Sequence, residues 1–207
     1  MNLLIIGPQG SGKGTQAVKI AEKYGLLNLS MGELLRGEAK KDTALGKKIK
    51  DILAKGNLVP NDITNELLLK NIKSAKKGVI LDGYPRNLEQ ADWLEKNARI
   101  DKAILLKLED AASVKRISGR RMCRKCGFIF HVEFIKPKKK DVCDKCGGEL
   151  YQRDDDKPAA VKERLNIFHH QTEPVIQFYK KKGILAEING DQSVEKVFED
   201  VVKVLGE

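Results

Sequence analysis

The chain has no apolar run long enough to cross a bilayer or to serve as a secretory leader. Near its start the longest, Leu3 to Ile6, passes at once into a glycine-rich loop. A cytoplasmic protein with no membrane partner is expected. Aromatic residues make up only 5%, with a single tryptophan, so the stacking platforms on which single-stranded nucleic acids are bound are missing. Of three histidines, the pair His169–His170 reads as structural, and His131 has no part in the chemistry the motifs suggest. There is no internal repeat and no low-complexity tail. Cysteine is scarce as well. Its four copies all fall between Cys123 and Cys146, which excludes a scattered disulfide framework and, in a reducing compartment, reads as metal ligation.

What is present fits one core with inserted subdomains: 207 residues, 41% hydrophobic and 33% charged. Lysine and arginine number 39 against 29 acidic residues, a formal charge of +10 that calls for anionic partners: nucleic acid, a membrane surface or phosphorylated small molecules. Four apolar runs read as buried strands, Leu3–Gly7, Gly78–Asp82, Ala103–Leu108 and Gly183–Ile188. Helical periodicity lies between them, over Lys13–Tyr24, Thr43–Lys55, a stretch opening at Asn61–Asp62 as N-caps, and Ser193–Leu205. Strands alternating with helices predict an α/β fold, a parallel sheet covered by helices on both faces. Two segments break the rhythm: residues 30–59, all helical, and residues 121–157, which hold the cysteines. The remainder (1–29, 60–120 and 158–207) forms the core, and Pro174 is expected to kink or divide the long helix after Lys157.

The strongest motif is Gly7-Pro8-Gln9-Gly10-Ser11-Gly12-Lys13-Gly14-Thr15, between a strand and a helix. Converging backbone N–H groups, a helix N-terminus and the Lys13 ammonium make a phosphate cradle, and only glycine lets the chain fold that closely. After the second strand comes Asp82-Gly83-Tyr84-Pro85-Arg86, a carboxylate, a tight turn and an arginine where open α/β sheets bind ligands. Cys123-x-x-Cys126 and Cys143-x-x-Cys146 are two knuckles, each followed by glycine. Four thiolates suit a structural Zn²⁺ with no open position; an iron centre of rubredoxin type is the alternative metal. Arg116 and Arg120, four apart on an expected helix, would share one face.

Together these motifs resemble the adenylate kinase family, in order and over nearly the whole chain. The Gly-Lys-Gly-Thr form of the loop, the Asp-Gly-Tyr-Pro-Arg segment and the cysteine position, where that family carries its lid, bear the resemblance. It implies a P-loop NTPase-like core, a helical acceptor-binding insertion over 30–59 and a zinc-binding lid over 121–157. It also implies ATP + AMP = 2 ADP, with Mg²⁺ accompanying ATP and structural Zn²⁺ in the lid. Gly10, Ser11, Gly12, Lys13, Gly14, Thr15, Arg116 and Arg120 would hold ATP, and Asp82 would hold Mg²⁺ through water. Ser30, Met31, Arg36, Val59, Gly83, Arg86, Gln90, Arg153 and Arg164 would hold AMP. Lys13, Arg86, Arg120, Arg153 and Arg164 would carry catalysis. Arginine suits that task, since its planar fork grips phosphate oxygens in pairs and stays charged. Asp155 and Asp156 match lid aspartates that bond the opposite arm or cap the next helix. The resemblance implies nucleotide partners only, and a monomer is the default. Met31 departs from it, because the family places threonine there to touch the acceptor. From Arg120 to Lys157 eleven basic residues face seven acidic ones, +4 before any metal, too mild to grip a nucleic-acid backbone. The rival readings are a kinase for another nucleoside monophosphate, a P-loop nucleic-acid binder with a zinc ribbon, and a zinc-dependent interaction module.

Overall fold

Leu3, Leu4, Ile5 and Ile6 are all buried, and that unbroken apolar run makes the central strand of a parallel sheet. In a computed structural model that describes residues 1–73 and 75–206, strand β1 (Leu3–Ile6) is followed by α1 (Lys13–Tyr24), β2 (Leu27–Ser30), α2 (Met31–Ala39), α3 (Ala44–Ala54) and α4 (Asn61–Ile72). Then come β3 (Val79–Asp82), α5 (Leu88–Asn97), β4 (Lys102–Lys107) and α6 (Asp110–Ser118). A small antiparallel unit follows, β5 (Arg120–Cys123), β6 (Ile129–His131) and β7 (Leu150–Tyr151). The chain returns through α7 (Pro158–Ile167), α8 (Glu173–Lys181), β8 (Leu185–Asn189) and α9 (Val194–Leu205). The main sheet has the order β2-β3-β1-β4-β8, every pair parallel.

Side chains of β1 alternate between two cores, as pleating requires. Leu3 and Ile5 join Ile80, Ile104 and Leu106 under α1 and α9, where Ala17, Ile20, Val197 and Val201 are buried. Leu4 and Ile6 face the other way, with Leu35, Ile49, Leu68, Leu94, Val175 and Tyr179 from α2, α3, α4, α5 and α8. Both faces are covered, as expected for the fold class.

Several local expectations change. An edge strand, β2, lies where no strand was expected; its four residues, Leu-Asn-Leu-Ser, are too short to show a period. Arg120 opens β5 and is not on a helix, because α6 stops at Ser118 and Gly119. Asn61 is the first residue of α4, after Pro60, and its side chain does not cap the helix. Thr43 and Ser193 do cap, accepting from Gly46 N at 3.0 Å and Lys196 N at 3.2 Å. The long C-terminal helix is divided by a π-helical turn at Phe168–Thr172, and Pro174 sits in the first turn of α8, where its missing N–H costs little. In that turn both ring nitrogens of His169 face carboxylates, Glu173 at 2.7 Å and Asp110 at 2.9 Å, which raises its pKa and ties the starts of α8 and α6. Among the described residues no helix is long and apolar enough to cross a membrane.

Candidate active site

In open parallel sheets ligands gather outside the strand C-termini, where the chain's direction of travel across the sheet reverses. Here that point is the C-terminal end of β1, with β3 on one side and β4 on the other. The glycine-rich loop leaves β1, and register places Ile5 beside Asp82 at the end of β3. A Cβ on Gly7 would lie 2.4 Å from the Leu106 carbonyl oxygen, so the loop can pack on β4 only with glycine there. A Cβ on Gly14 would come within 3.5 Å of Asp82 Oδ2, which brings the carboxylate against the first turn of α1. Lys13 Nζ donates to the Gly7 and Pro8 carbonyls, each at 2.7 Å. Desolvation pushes its pKa down to about 7 despite the opposing pull of Asp82.

A single cleft of about 1090 Å³ runs from this loop to α2 and α5. That is the top of the usual range for ligand sites and room for more than one small molecule. Gly10, Gly12, Lys13, Gly14, Thr15, Asp82, Arg116 and Arg120 line it together with Ser30, Met31, Arg36, Val59, Gly83, Arg86, Gln90, Arg153 and Arg164. Of the expected nucleotide contacts only Ser11 does not; it is buried beneath the loop. Met31 is 3% exposed, part of the core as well as of the cleft wall.

The arginines are held by a shared set of acceptors. Arg120 grips Asp156 with two hydrogen bonds, 2.9 and 2.5 Å, and Arg153 grips Asp155 likewise at 2.8 and 2.5 Å. Arg164 donates to the Asp155 carboxylate at 3.1 Å and to its backbone oxygen at 3.0 Å. Neither aspartate caps α7, whose N-cap is Lys157. Burial lowers Arg164 to about 10, against the pull of Asp155, and it remains charged. Arg116 bonds Gly190 O at 2.9 Å and Asp191 at 2.7 Å. Arg86 follows a cis Tyr84–Pro85 bond and donates to Gly83 O at 2.8 Å; a Cβ on Gly83 would sit 2.9 Å from its guanidinium. Thr172 anchors it from the π-helical turn, donating to Arg86 O at 2.8 Å, a contact that no sequence signal announced.

Gln90 is 2% exposed; its Oε1 accepts from Arg86 N, and its Nε2 donates to Asn61 Oδ1 and Thr64 Oγ1 within the cleft wall. Asp155, Asp191, Asn61 and Thr64 complete the surroundings. Of these the sequence singled out Asp155 by family position and Asn61 only as a cap.

Beyond β5, the sulfurs of Cys123, Cys126, Cys143 and Cys146 lie within 4.8 Å of one another. Their closest approaches are 3.4 Å (Cys123–Cys146) and 3.6 Å (Cys126–Cys143), too long for disulfides. A tetrahedral ion with bonds of about 2.3 Å separates its sulfurs by roughly 3.8 Å, so the cluster fits a metal. Backbone N–H groups, Cys126 N first, push the Cys123 thiol down to about 6.

The adenylate kinase family model matches residues 5–184. An adenylate kinase of Archaeoglobus fulgidus is 44% identical over 99% of this chain and 98% of its own. Those of Clostridioides difficile and Methanosarcina barkeri are 45% and 44% identical over 100% and 99% of this chain, and 99% and 98% of theirs. With the phosphate loop, the paired arginines and the cysteine cluster all in one coherent arrangement, the chain belongs to the adenylate kinase family of nucleoside monophosphate kinases.

Proposed function

We propose that the chain catalyses reversible, Mg²⁺-dependent transfer of a phosphoryl group from ATP to AMP, directly and in line, and so balances the adenine nucleotides. The observation that carries this reading is one cleft lined by the phosphate loop, by Arg36, Arg86 and Gln90, and by Arg120, Arg153 and Arg164. Gly10, Ser11, Gly12, Lys13, Gly14, Thr15, Arg116 and Arg120 bind ATP. Ser30, Met31, Arg36, Val59, Gly83, Arg86, Gln90, Arg153 and Arg164 bind AMP.

An acceptor phosphate has a second pKa of about 6 and needs no general base. The difficulty is electrostatic: two polyanions must meet in line while charge spreads over the group in flight. Lys13, Arg86, Arg120, Arg153 and Arg164 meet that charge, and the aspartate pair keeps three of the arginines aimed before substrate arrives. Asp82 would hold Mg²⁺ through water, and the ion, when bound, would neutralise charge on the outer phosphates. Residues 30–59 form the acceptor arm and 121–157 a zinc-bearing lid on a core of 1–29, 60–120 and 158–207. The lid excludes water that would otherwise hydrolyse ATP. Cysteines that form a metal-type cluster and no disulfide support a cytoplasmic setting, and we read the enzyme as a monomer.

The test supplies ATP and Mg²⁺ with AMP, UMP, CMP or GMP and follows ADP. Strong preference for AMP is expected, and inversion at a chiral γ-phosphate would mark direct transfer. Preference for another acceptor would overturn the role of Gln90 and leave the kinase.

A further inference from the structure

The two loops that would hold the donor and acceptor phosphates lie beyond the reach of the sheet. Register fixes the ends of β1 and β3, with Ile5 beside Asp82, but Gln9 lies three residues past β1 and Arg86 four past β3. Each loop also lacks a backbone donor, at Pro8 and at Pro85. Both are braced from outside by the same stretch of chain, α7 and the π-helical turn that continues it. The Gln9 side chain, 8% exposed, donates from Nε2 to Val161 O of α7 at 3.1 Å. Thr172, 7% exposed, donates its hydroxyl to Arg86 O at 2.8 Å.

The stretch between these anchors is held so that it keeps its length. Val161 and Leu165 are buried with Ile117 of α6, and Arg164 beside them is bonded to Asp155. Glu173 N donates to Phe168 O to close the wide turn, and His169 pins that turn to α6 through Asp110 at 2.9 Å. Val161 and Thr172 are eleven residues apart, about 16 Å of helix rise. We propose that this segment is a spacer that sets the separation of the phosphate loop from Arg86, and that Gln9 and Thr172 are the positioning residues that fasten its two ends. In-line transfer depends on that separation, since a displacement of about 1 Å far from the chemistry can cost about a hundredfold. With a fastening lost, each nucleotide still finds its own contacts; what suffers is the approach of one phosphate to the other. The inference rests on the transfer proposed above.

The experiment measures phosphoryl transfer in a single turnover, and the binding of ATP and of AMP separately, for the wild type and four variants. Thr172→Val keeps the shape and removes the donor, whereas Thr172→Ser keeps the hydroxyl. Gln9→Met keeps the length and removes the amide, and the fourth variant joins it to Thr172→Val. Each donor loss is expected to slow transfer about tenfold and to leave both Kd values within about twofold. Thr172→Ser should stay within about twofold of wild type throughout. A spacer freed at either end is already loose, so the joint variant should also be about tenfold slow, well short of the roughly hundredfold of independent losses. Additive losses overturn the inference, since each residue then acts in its own loop, and so do losses confined to affinity for one nucleotide. Unchanged transfer with a lowered Tm would mean that both bonds serve stability alone, and overturns it too. If Gln9→Met does not fold, the threonine pair decides: equal rates for valine and serine reject the spacer. A wild type that transfers to no acceptor fails the reaction itself and takes this inference with it. An active wild type whose variants all match it sinks the inference alone.

Discussion

Lys13 commits two of its three ammonium protons to loop carbonyls and lines the cleft. With its pKa lowered to about 7 from 10.5 by desolvation, the unliganded protein holds less than a full proton there at pH 8. A bound triphosphate, fully ionised at that pH, draws the proton back. ATP binding at pH 8 should therefore take up close to one proton, read as a dependence of calorimetric enthalpy on the buffer's ionisation heat, and affinity should weaken as pH rises above 7. Lys13→Met should abolish the uptake; a wild type with no buffer dependence contradicts the argument. In the unliganded protein the sign is the reverse: between about 7 and 10.5 the unfolded chain binds more protons, so stability rises with pH. The arginines divide differently. Arg86→Ala removes a cleft charge that makes no direct ion pair with a carboxylate among the described residues, and kcat should fall at least about a hundredfold with Tm nearly unchanged. Arg120→Ala leaves Asp156, 1% exposed, with Arg164 at 3.7 Å as its remaining cation. Its lost activity should come with about 3 kcal/mol of lost stability in urea unfolding. If both variants turn over normally, the assignment of these side chains fails.

At the scale of elements, the unit around β5, β6 and β7 has one small apolar cluster, Cys123, Phe130, Cys143 and Leu150, with Phe128 and Cys146 packed alongside. Two of the four buried side chains are metal-ligand candidates, so the ion and the core are nearly the same object. Chelation with measured metal loss should lower Tm and open this unit first, seen as faster amide exchange at Met122 and Phe130 while α1 and α9 stay protected. Unchanged melting after proven loss would remove the structural role, and elemental analysis decides between zinc and iron. The same elements show where a sequence is legible. Buried strands β1, β3 and β4 announce themselves because both faces are apolar, and α1 and α9 because one stripe is. Strand β2 does not: it is a four-residue edge strand, mostly half-buried, and its place comes from pairing with β3. Arg120 falls one residue past a glycine, where helical spacing no longer holds. Gln90 and Asn61 carry no periodic signal, since their burial depends on one another across 29 residues. The phosphate loop and the cysteine knuckles were readable because their chemistry is local.

At the scale of the molecule, Asp155 is where separate segments meet. Arg153 reaches it from beside the small sheet and Arg164 from α7, and Arg36 on α2 adds its field from the opposite side of the cleft. Burial alone would raise this carboxyl, but Arg153, Arg164 and Arg36 hold it well below the usual carboxylate range. A depressed acid stabilises the folded state at every pH above its unfolded value. That contribution is lost only as pH falls from about 4 toward the folded pKa. Asp155→Asn removes it and leaves Arg153 and Arg164 to share Asp156, which lies 3.7 Å from Arg164 and is already bound by Arg120. Urea unfolding of the two proteins from pH 7 down to pH 3 should show a gap of about 3 kcal/mol at neutrality that narrows below pH 4. Curves that run parallel across the whole range would mean that Asp155 acts through shape alone. The charge of +10 would then lack this internal brace, and the arginine cluster would have to be kept in place by packing.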